Sequence, residues 1–248
     1  MCRHLGYLGP DQSVGDLLVQ GENSLLNQSF APRDMRGGGT INADGFGVGW
    51  WGADGFSRYR SDQPLWSDPA LQETLPSIHS GAVVAAARSA TVGMPVQRTA
   101  CAPFSDDEWA FSHNGVVTRW PESLGELAAD LPSTDLLQLE APTDSAALWL
   151  LLRRLLGEYD PEKALATLVT AVIAAAPQSR LNLLLGNGQE LWATTWYHSL
   201  SAFVDDERAI VSSEPYDDDP NWQAIPDRHL VVARPGHLIV TPLEIGAS

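Results

Sequence analysis

The order of elements along the chain predicts an α+β fold in which helices pack against stacked antiparallel sheets. Two observations carry this reading. Extended segments fill the first part of the sequence and return in a series from 182 onward, and two strongly apolar helical stretches, 144–156 and 160–176, lie between them. A third observation concerns size and composition. The chain has 248 residues, 44% of them apolar and 19% charged, enough for a substantial buried core. Its length exceeds the usual domain of about 100–200 residues, but layered αβ folds of this size occur as one unit, and a single domain spanning 1–248 is expected.

In chain order, residues 3–9 read as a strand. The segment 13–28 carries Val14, Leu17, Leu18, Leu25 and Leu26 at helical spacing broken near Gly21, which predicts two short helices. NADGFGVGWW (42–51) followed by FSRY (56–59) alternates and is rich in glycine and aromatics, as expected of a hairpin approached closely by other backbone. GAVVAAAR (81–88) and EWAFSHNGVV (108–117) read as buried strands. The stretch 131–143 reads as a surface loop. The helix from Asp144 is apolar nearly all round, and the next opens on Asp160-Pro161 and stops before Pro177, so both need covering layers. NLLLGN, ELWATTWY, SAFVD, AIVSSE, LVVA and HLIV then form an antiparallel succession divided by turn residues, with the acidic groups at 205–207 and 217–219 in solvated turns.

Charge and motif content exclude several function classes. Acids outnumber Lys plus Arg by 31 to 15, and a net charge of −16 repels a phosphate backbone, so no nucleic-acid partner is expected. The most apolar stretches are too short or too interrupted to span a bilayer, which needs about 20 residues, so no membrane association is expected. The first residues lack a basic segment leading into an apolar one, which points to the cytoplasm. Two cysteines without a CxxC pair, and six histidines without HxxxH or HExxH spacing, give no metal and no cofactor to expect.

The chain opens MCRHLGYLG. Cys2 is either a small residue that comes early or, once Met1 is removed, a nucleophile bearing its own base: a free α-amine, with an ordinary pKa of about 7.7–8.0, can take a thiol proton directly or through one water. Asn114-Gly115, in FSHNGVV, reads first as a type I′ hairpin turn. The same pair could form an oxyanion hole from a side-chain amide and a backbone N–H, where losing one donor costs on the order of 3 kcal/mol. Arg88 ends an apolar strand, where it could sit at the surface, pair with an acid or clamp a substrate carboxylate. Asp144 stands where a helix begins, so it either caps that helix or binds an ammonium group. An Arg and an Asp together can read the two charged groups of an amino acid. Cys101 reads as a packed small residue, and a reducing compartment argues against a Cys2–Cys101 disulfide.

Taken in order, MCR at the start, NADGFGVGWW, Arg88-x-x-Thr91-x-Gly93, Pro103-Phe104, His113-Asn114-Gly115 and TDSAAL at 143–148 resemble the class II glutamine amidotransferases of the N-terminal nucleophile hydrolase superfamily. The resemblance spans most of the chain and implies a four-layer αββα sandwich. It further implies that Cys2 attacks a γ-glutamyl carbonyl, that Asn114 and Gly115 hold the oxyanion, and that Arg88 and Asp144 grip the α-carboxylate and α-amine. Thr91 and His113, from the same motifs, join the substrate-binding set. Ala86 and Ser89 flank Arg88 where many members read H-x-R-Y, and Ala100 and Ala102 replace the Asn and Gln that often precede the Pro-Phe pair. These departures point away from free glutamine rather than from γ-glutamyl chemistry. A narrower likeness, carried by MCRHLGYLG, SLLNQSFAPRDMRGG and INADGFGVGWW, is to the stand-alone γ-glutamyl amidohydrolases of ergothioneine biosynthesis. It implies a small-molecule γ-glutamyl substrate whose amine fragment carries a trimethylammonium group, and no obligatory synthase subunit. A glutaminase feeding a separate synthase and a non-catalytic γ-glutamyl binding protein are the alternatives.

Overall fold

The computed structural model describes residues 2–36, 38 and 41–244, so the fate of Met1 lies outside the described residues. The strands are β1 (Arg3–Ser13), β2 (Phe46–Gly52), β3 (Gly55–Ser61), β4 (His79–Ala87), β5 (Phe104–Ser105), β6 (Ala110–Val116), β7 (Arg180–Gly186), β8 (Leu191–Thr194), β9 (Ser201–Val204), β10 (Ala209–Ser212), β11 (Gln223–Ala224), β12 (His229–Arg234) and β13 (His237–Pro242). The helices are α1 (Val14–Val19), α2 (Leu25–Phe30), α3 (Ala70–Glu73), α4 (Gly125–Ala128), α5 (Ser133–Leu136), α6 (Asp144–Leu156) and α7 (Pro161–Ala175). One sheet runs β11-β9-β10-β1-β4-β2-β3 and the other β13-β12-β8-β7-β6-β5, with antiparallel pairing throughout.

Side-chain alternation stacks the layers. In β1, Leu5 and Tyr7 face α1 and α2, whose Val14, Leu17, Leu18 and Leu25 cover the first sheet. Leu8 faces the other way and, with Ala82 and Val84 of β4, meets Leu184, Leu191, Ala193 and Val231 of the second sheet. On the far side of that sheet Leu181, Leu183 and Leu185 pack against Leu148 and Leu152 of α6 and Leu165 and Leu168 of α7. The order is therefore helix, sheet, sheet, helix, the αββα sandwich. The two sheets approach closely at Gly6, where a Cβ would sit 2.9 Å from a Leu191 methyl.

The serine N-caps of α1 and α2, Ser13 and Ser24, each accept a backbone N–H of the first turn, and Gly21 between the helices takes a positive φ of 95°. Thr143 caps α6 and Asp160 caps α7, with Pro161 at the first helical position. Three expectations need correction. The segment 131–143 contains the turn of helix α5 rather than loop alone. Helix α7 buries one stripe, Ala164, Leu165, Leu168, Val169 and Val172, because it is covered only where it meets the sheet and α6. Asn114-Gly115 is not a hairpin turn: both residues lie inside β6, opposite Asn182 and Leu181 of β7, because tertiary pairing with a distant strand overrides the local turn preference.

Candidate active site

The interior between the sheets turns polar at one end, and strand alternation shows which side chains enter it. Along β1, Cys2 and His4 share the inward parity of Gly6 and Leu8. Along β6, Ser112 and Asn114 share that of Ala110, and on β7 Asn182 shares that of Leu184. Ser213, just past β10, follows Val211. His4 N–H donates to Ser213 Oγ at 3.0 Å and Ser213 N–H to the His4 carbonyl at 3.0 Å. The Asn114 amide reaches the same Ser213 Oγ at 3.5 Å, so the start of β1 and the end of β6 share a hydroxyl.

The half-buried Cys2 thiol points at the Ser89 carbonyl at 3.6 Å, which places it next to Arg88 at the end of β4. Arg88 is 8% exposed, and its guanidinium contacts only the Asp44 carbonyl, at 3.5 Å, with no acidic partner among the described residues. A buried cation without a carboxylate suits capture of one from a ligand. Thr91 is exposed in the turn closed by Met94 N–H on the Thr91 carbonyl.

His113 and Gly115 face the helical layer instead. The His113 ring is held at Nδ1 by Ser145 Oγ (3.0 Å) and at Nε2 by the Arg180 carbonyl (2.9 Å), so both nitrogens are engaged within the protein. A Cβ on Gly115 would overlap that Arg180 carbonyl oxygen and approach His113 Nε2 to 2.6 Å, so no larger residue fits there. Asp144, 4% exposed, accepts Ser145 N–H (2.7 Å) and Val117 N–H (2.8 Å); it starts α6 and fixes the chain just past β6. Oδ1 also accepts the Ser145 hydroxyl (3.4 Å), whereas Oδ2, bonded to Val117 N–H alone, retains a lone pair for a further donor.

Sequence reasoning missed the residues that support this end of the gap. Arg3 and Glu214, 1% and 4% exposed at their side chains, pair at 3.1 Å. Glu214 also accepts Arg33 N–H, Asp34 N–H and the Asn23 amide, while Arg3 donates to the carbonyls of Cys2 (3.2 Å) and Asp34 (2.5 Å). The network ties segment 33–36 to the residue after Cys2. His4 and His198 are fully buried, and burial pushes each down to about 3, so both rings are neutral at ordinary pH. Neither ring, nor Ser112 Oγ, nor Asn114 Oδ1, has a hydrogen-bond partner among the described residues. Unpaired buried polar groups are costly, and their collection around the start of β1 and the end of β6 marks the site. Alternation with the apolar residues of β1 and β6 was the one available signal for His4 and Ser112; His198 and Glu214 offered none. Among the described residues no group of three or more His, Cys, Asp or Glu is placed to hold a metal.

Residues 17–205 match the family described as glutamine amidotransferases class-II, a span that contains Arg88, Thr91, His113, Asn114, Gly115 and Asp144. The chain belongs to the class-II glutamine amidotransferases. Within this family it is similar, at 43% identity over 98% of the chain and 100% of the relative, to the gamma-glutamyl-hercynylcysteine sulfoxide hydrolase of Mycolicibacterium smegmatis. It is similar at 39%, over 98% of the chain and 97% of the relative, to the protein of the same name in Mycobacterium tuberculosis. Among solved structures, a glutamine aminotransferase class-II domain protein from Silicibacter pomeroyi superposes with a TM-score of 0.70 at 23% identity, covering 98% of this chain and 99% of that one. The allosteric regulatory enzyme of purine biosynthesis gives the same TM-score at 13% identity, over 98% of this chain and 49% of that one. These two likenesses establish the amidotransferase fold.

Proposed function

We propose that this class-II amidotransferase is a stand-alone amidohydrolase that cleaves the γ-glutamyl amide of γ-glutamyl-hercynylcysteine sulfoxide, releasing glutamate and hercynylcysteine sulfoxide in ergothioneine biosynthesis. The observation that carries the reading is the end-to-end similarity, at 43% identity, to a relative of that name. We read the whole of 1–248 as one amidotransferase domain, since its first long strand, β1, lies inside a sheet completed by β10 and β9 from near the end. No helix among the described residues is long and apolar enough to cross a membrane, in keeping with a small, dissolved substrate met in the cytoplasm.

In the proposed mechanism, removal of Met1 frees the Cys2 amine, which takes the thiol proton while sulfur attacks the γ-carbonyl carbon. The Asn114 amide and the Gly115 N–H receive the developing oxyanion. The C–N bond then breaks as the proton passes from the Cys2 ammonium to the leaving nitrogen, and water hydrolyses the thioester to give glutamate and restore the thiol. Arg88, without an acidic partner among the described residues, takes the α-carboxylate, Asp144 takes the α-amine, and Thr91 lines the carboxylate end. His113 acts from behind, its ring fixing the strands on which Asn114 and Gly115 stand.

Two measurements test this. Cys2→Ala is expected to abolish glutamate release while leaving the melting temperature unchanged; turnover in that variant ends the mechanism. A kcat/KM for glutamine equal to that for the sulfoxide would instead make the protein a glutaminase.

A further inference from the structure

A cavity of about 470 Å³ opens where β6 ends and β7 begins, lined by Val116, Thr118, Ser179, Arg180, Tyr197 and Arg228 among others. It starts where the oxyanion element ends. Val116 follows Gly115 and pairs across the ladder with Arg180, and both share the inward parity of Asn114 and Asn182. One of its wall residues is also linked to Cys2 by a chain of hydrogen bonds and one ion pair. The Tyr197 carbonyl accepts Arg36 Nη1 (3.3 Å), Arg36 pairs with Asp34 (2.6 Å), and Arg3 bonds the carbonyls of both Asp34 and Cys2.

The wall of this cavity is built under strain. Tyr197 has φ +96° and Arg228 +59°, a left-handed backbone that side chains other than glycine avoid. Tyr197 is held there by its own N–H on Asp227 Oδ1 (2.7 Å), and Trp196 N–H (3.1 Å) and His198 N–H (3.0 Å) both donate to the buried Asn182 Oδ1. Such strain persists where surrounding contacts over-determine it, and it clusters at ligand-holding positions. The charge is also unusual for so acidic a chain. Arg180 lies over the Tyr197 ring at 5.5 Å and has no carboxylate partner among the described residues, while Arg228 lies over Trp196 at 5.0 Å and pairs only at 3.9 Å with Asp227.

We propose that this cavity receives the amine-side fragment of the substrate, and that Arg180 is a specificity-determining residue that binds a carboxylate borne next to the scissile nitrogen. The assignment rests on the γ-glutamyl amidohydrolase reading and deepens it. Arg88 and Asp144 are assigned to the glutamyl side, so a second guanidinium without an acidic partner among the described residues, on the ladder partner of the residue after Gly115, serves the leaving group. An amide of an amino acid carries its carboxylate two bonds from that nitrogen; glutamine, whose leaving group is ammonia, has none. A bidentate guanidinium–carboxylate contact converts that difference into selectivity without touching the reacting atoms.

γ-Glutamylglycine and γ-glutamylmethylamide differ only by this carboxylate, so kcat/KM for the pair, with γ-glutamyl-hercynylcysteine sulfoxide alongside, tests the proposal. The wild-type enzyme is expected to prefer the glycine amide, and Arg180→Gln to reduce that preference about tenfold or more, chiefly through KM. Arg180→Lys, which keeps the charge but not the fork, is expected to recover part of it. No preference in the wild type, a preference that Arg180→Gln leaves unchanged, or an equal loss on both amides overturns the assignment while glutamate release keeps the hydrolase reading standing. Absence of glutamate release from all three substrates removes that reading, and the subsite with it.

Discussion

Two thiols occupy opposite environments within one end of the molecule. Cys101 is fully buried against the Ser61 carbonyl at 3.2 Å, and burial pushes its thiol up to about 11. Cys2 is half-buried at the edge of the polar gap, and the two sulfurs are not joined. The thiolate is the species that alkylates, so the native protein at pH 8 is expected to take up a single carbamidomethyl group, on Cys2, with the second adduct appearing only after unfolding. Mass spectrometry of the iodoacetamide-treated protein reads this directly, and rapid double labelling of the folded chain contradicts it. At the same scale, Cys2 and Arg88 were readable as candidates because their residue types imply chemistry. The unpaired state of the Arg88 guanidinium was not, since an absent partner is a property of everything folded around it.

Among the elements, segment 33–36 depends on one buried carboxylate. Glu214 accepts two consecutive backbone N–H groups, from Arg33 and Asp34, while pairing with Arg3. Glu214→Gln retains shape but leaves Arg3 buried without its counter-charge, a change that costs roughly 3–5 kcal/mol when such a pair is broken. The urea midpoint is expected to fall accordingly with little change in m, and a loss below about 1 kcal/mol would show that the pair does not anchor the segment. Strands and long helices were legible from periodicity, down to the ends of α6 and the caps of α7. Helix α5 was not, because a single turn of helix carries too little pattern to separate it from a loop.

For the molecule as a whole, the buried neutral histidines set an acid limit. His4 and His198 are held down to about 3 by burial, whereas an unfolded histidine titrates near 6.5. Below about pH 6.5 the unfolded chain therefore binds protons that the folded chain refuses. The stability contributed by each ring is complete above that pH and is lost as pH falls from about 6.5 toward 3, at up to about 1.4 kcal/mol per pH unit per histidine. Replacing His198 with Gln is expected to flatten the dependence of unfolding free energy on pH between 6 and 4 by close to one proton. An unchanged slope in denaturant titrations across that range would show that the ring does not stay neutral in the folded protein.

The sequence alone determined the succession of the longer strands and helices, the excess of acidic residues, and the motifs that mark the family, because periodicity, caps and residue chemistry act over a few neighbours. It also singled out Cys2, Arg88, Asn114, Gly115 and Asp144 as the residues to watch. Only the tertiary structure decided that Asn114-Gly115 lies within a strand, that Ser213 of one sheet meets Asn114 of the other, and that Arg180 and Tyr197 face a cavity beside them. Those facts depend on pairings between segments up to 209 positions apart, as between His4 and Ser213, and no local preference encodes which distant strand will arrive.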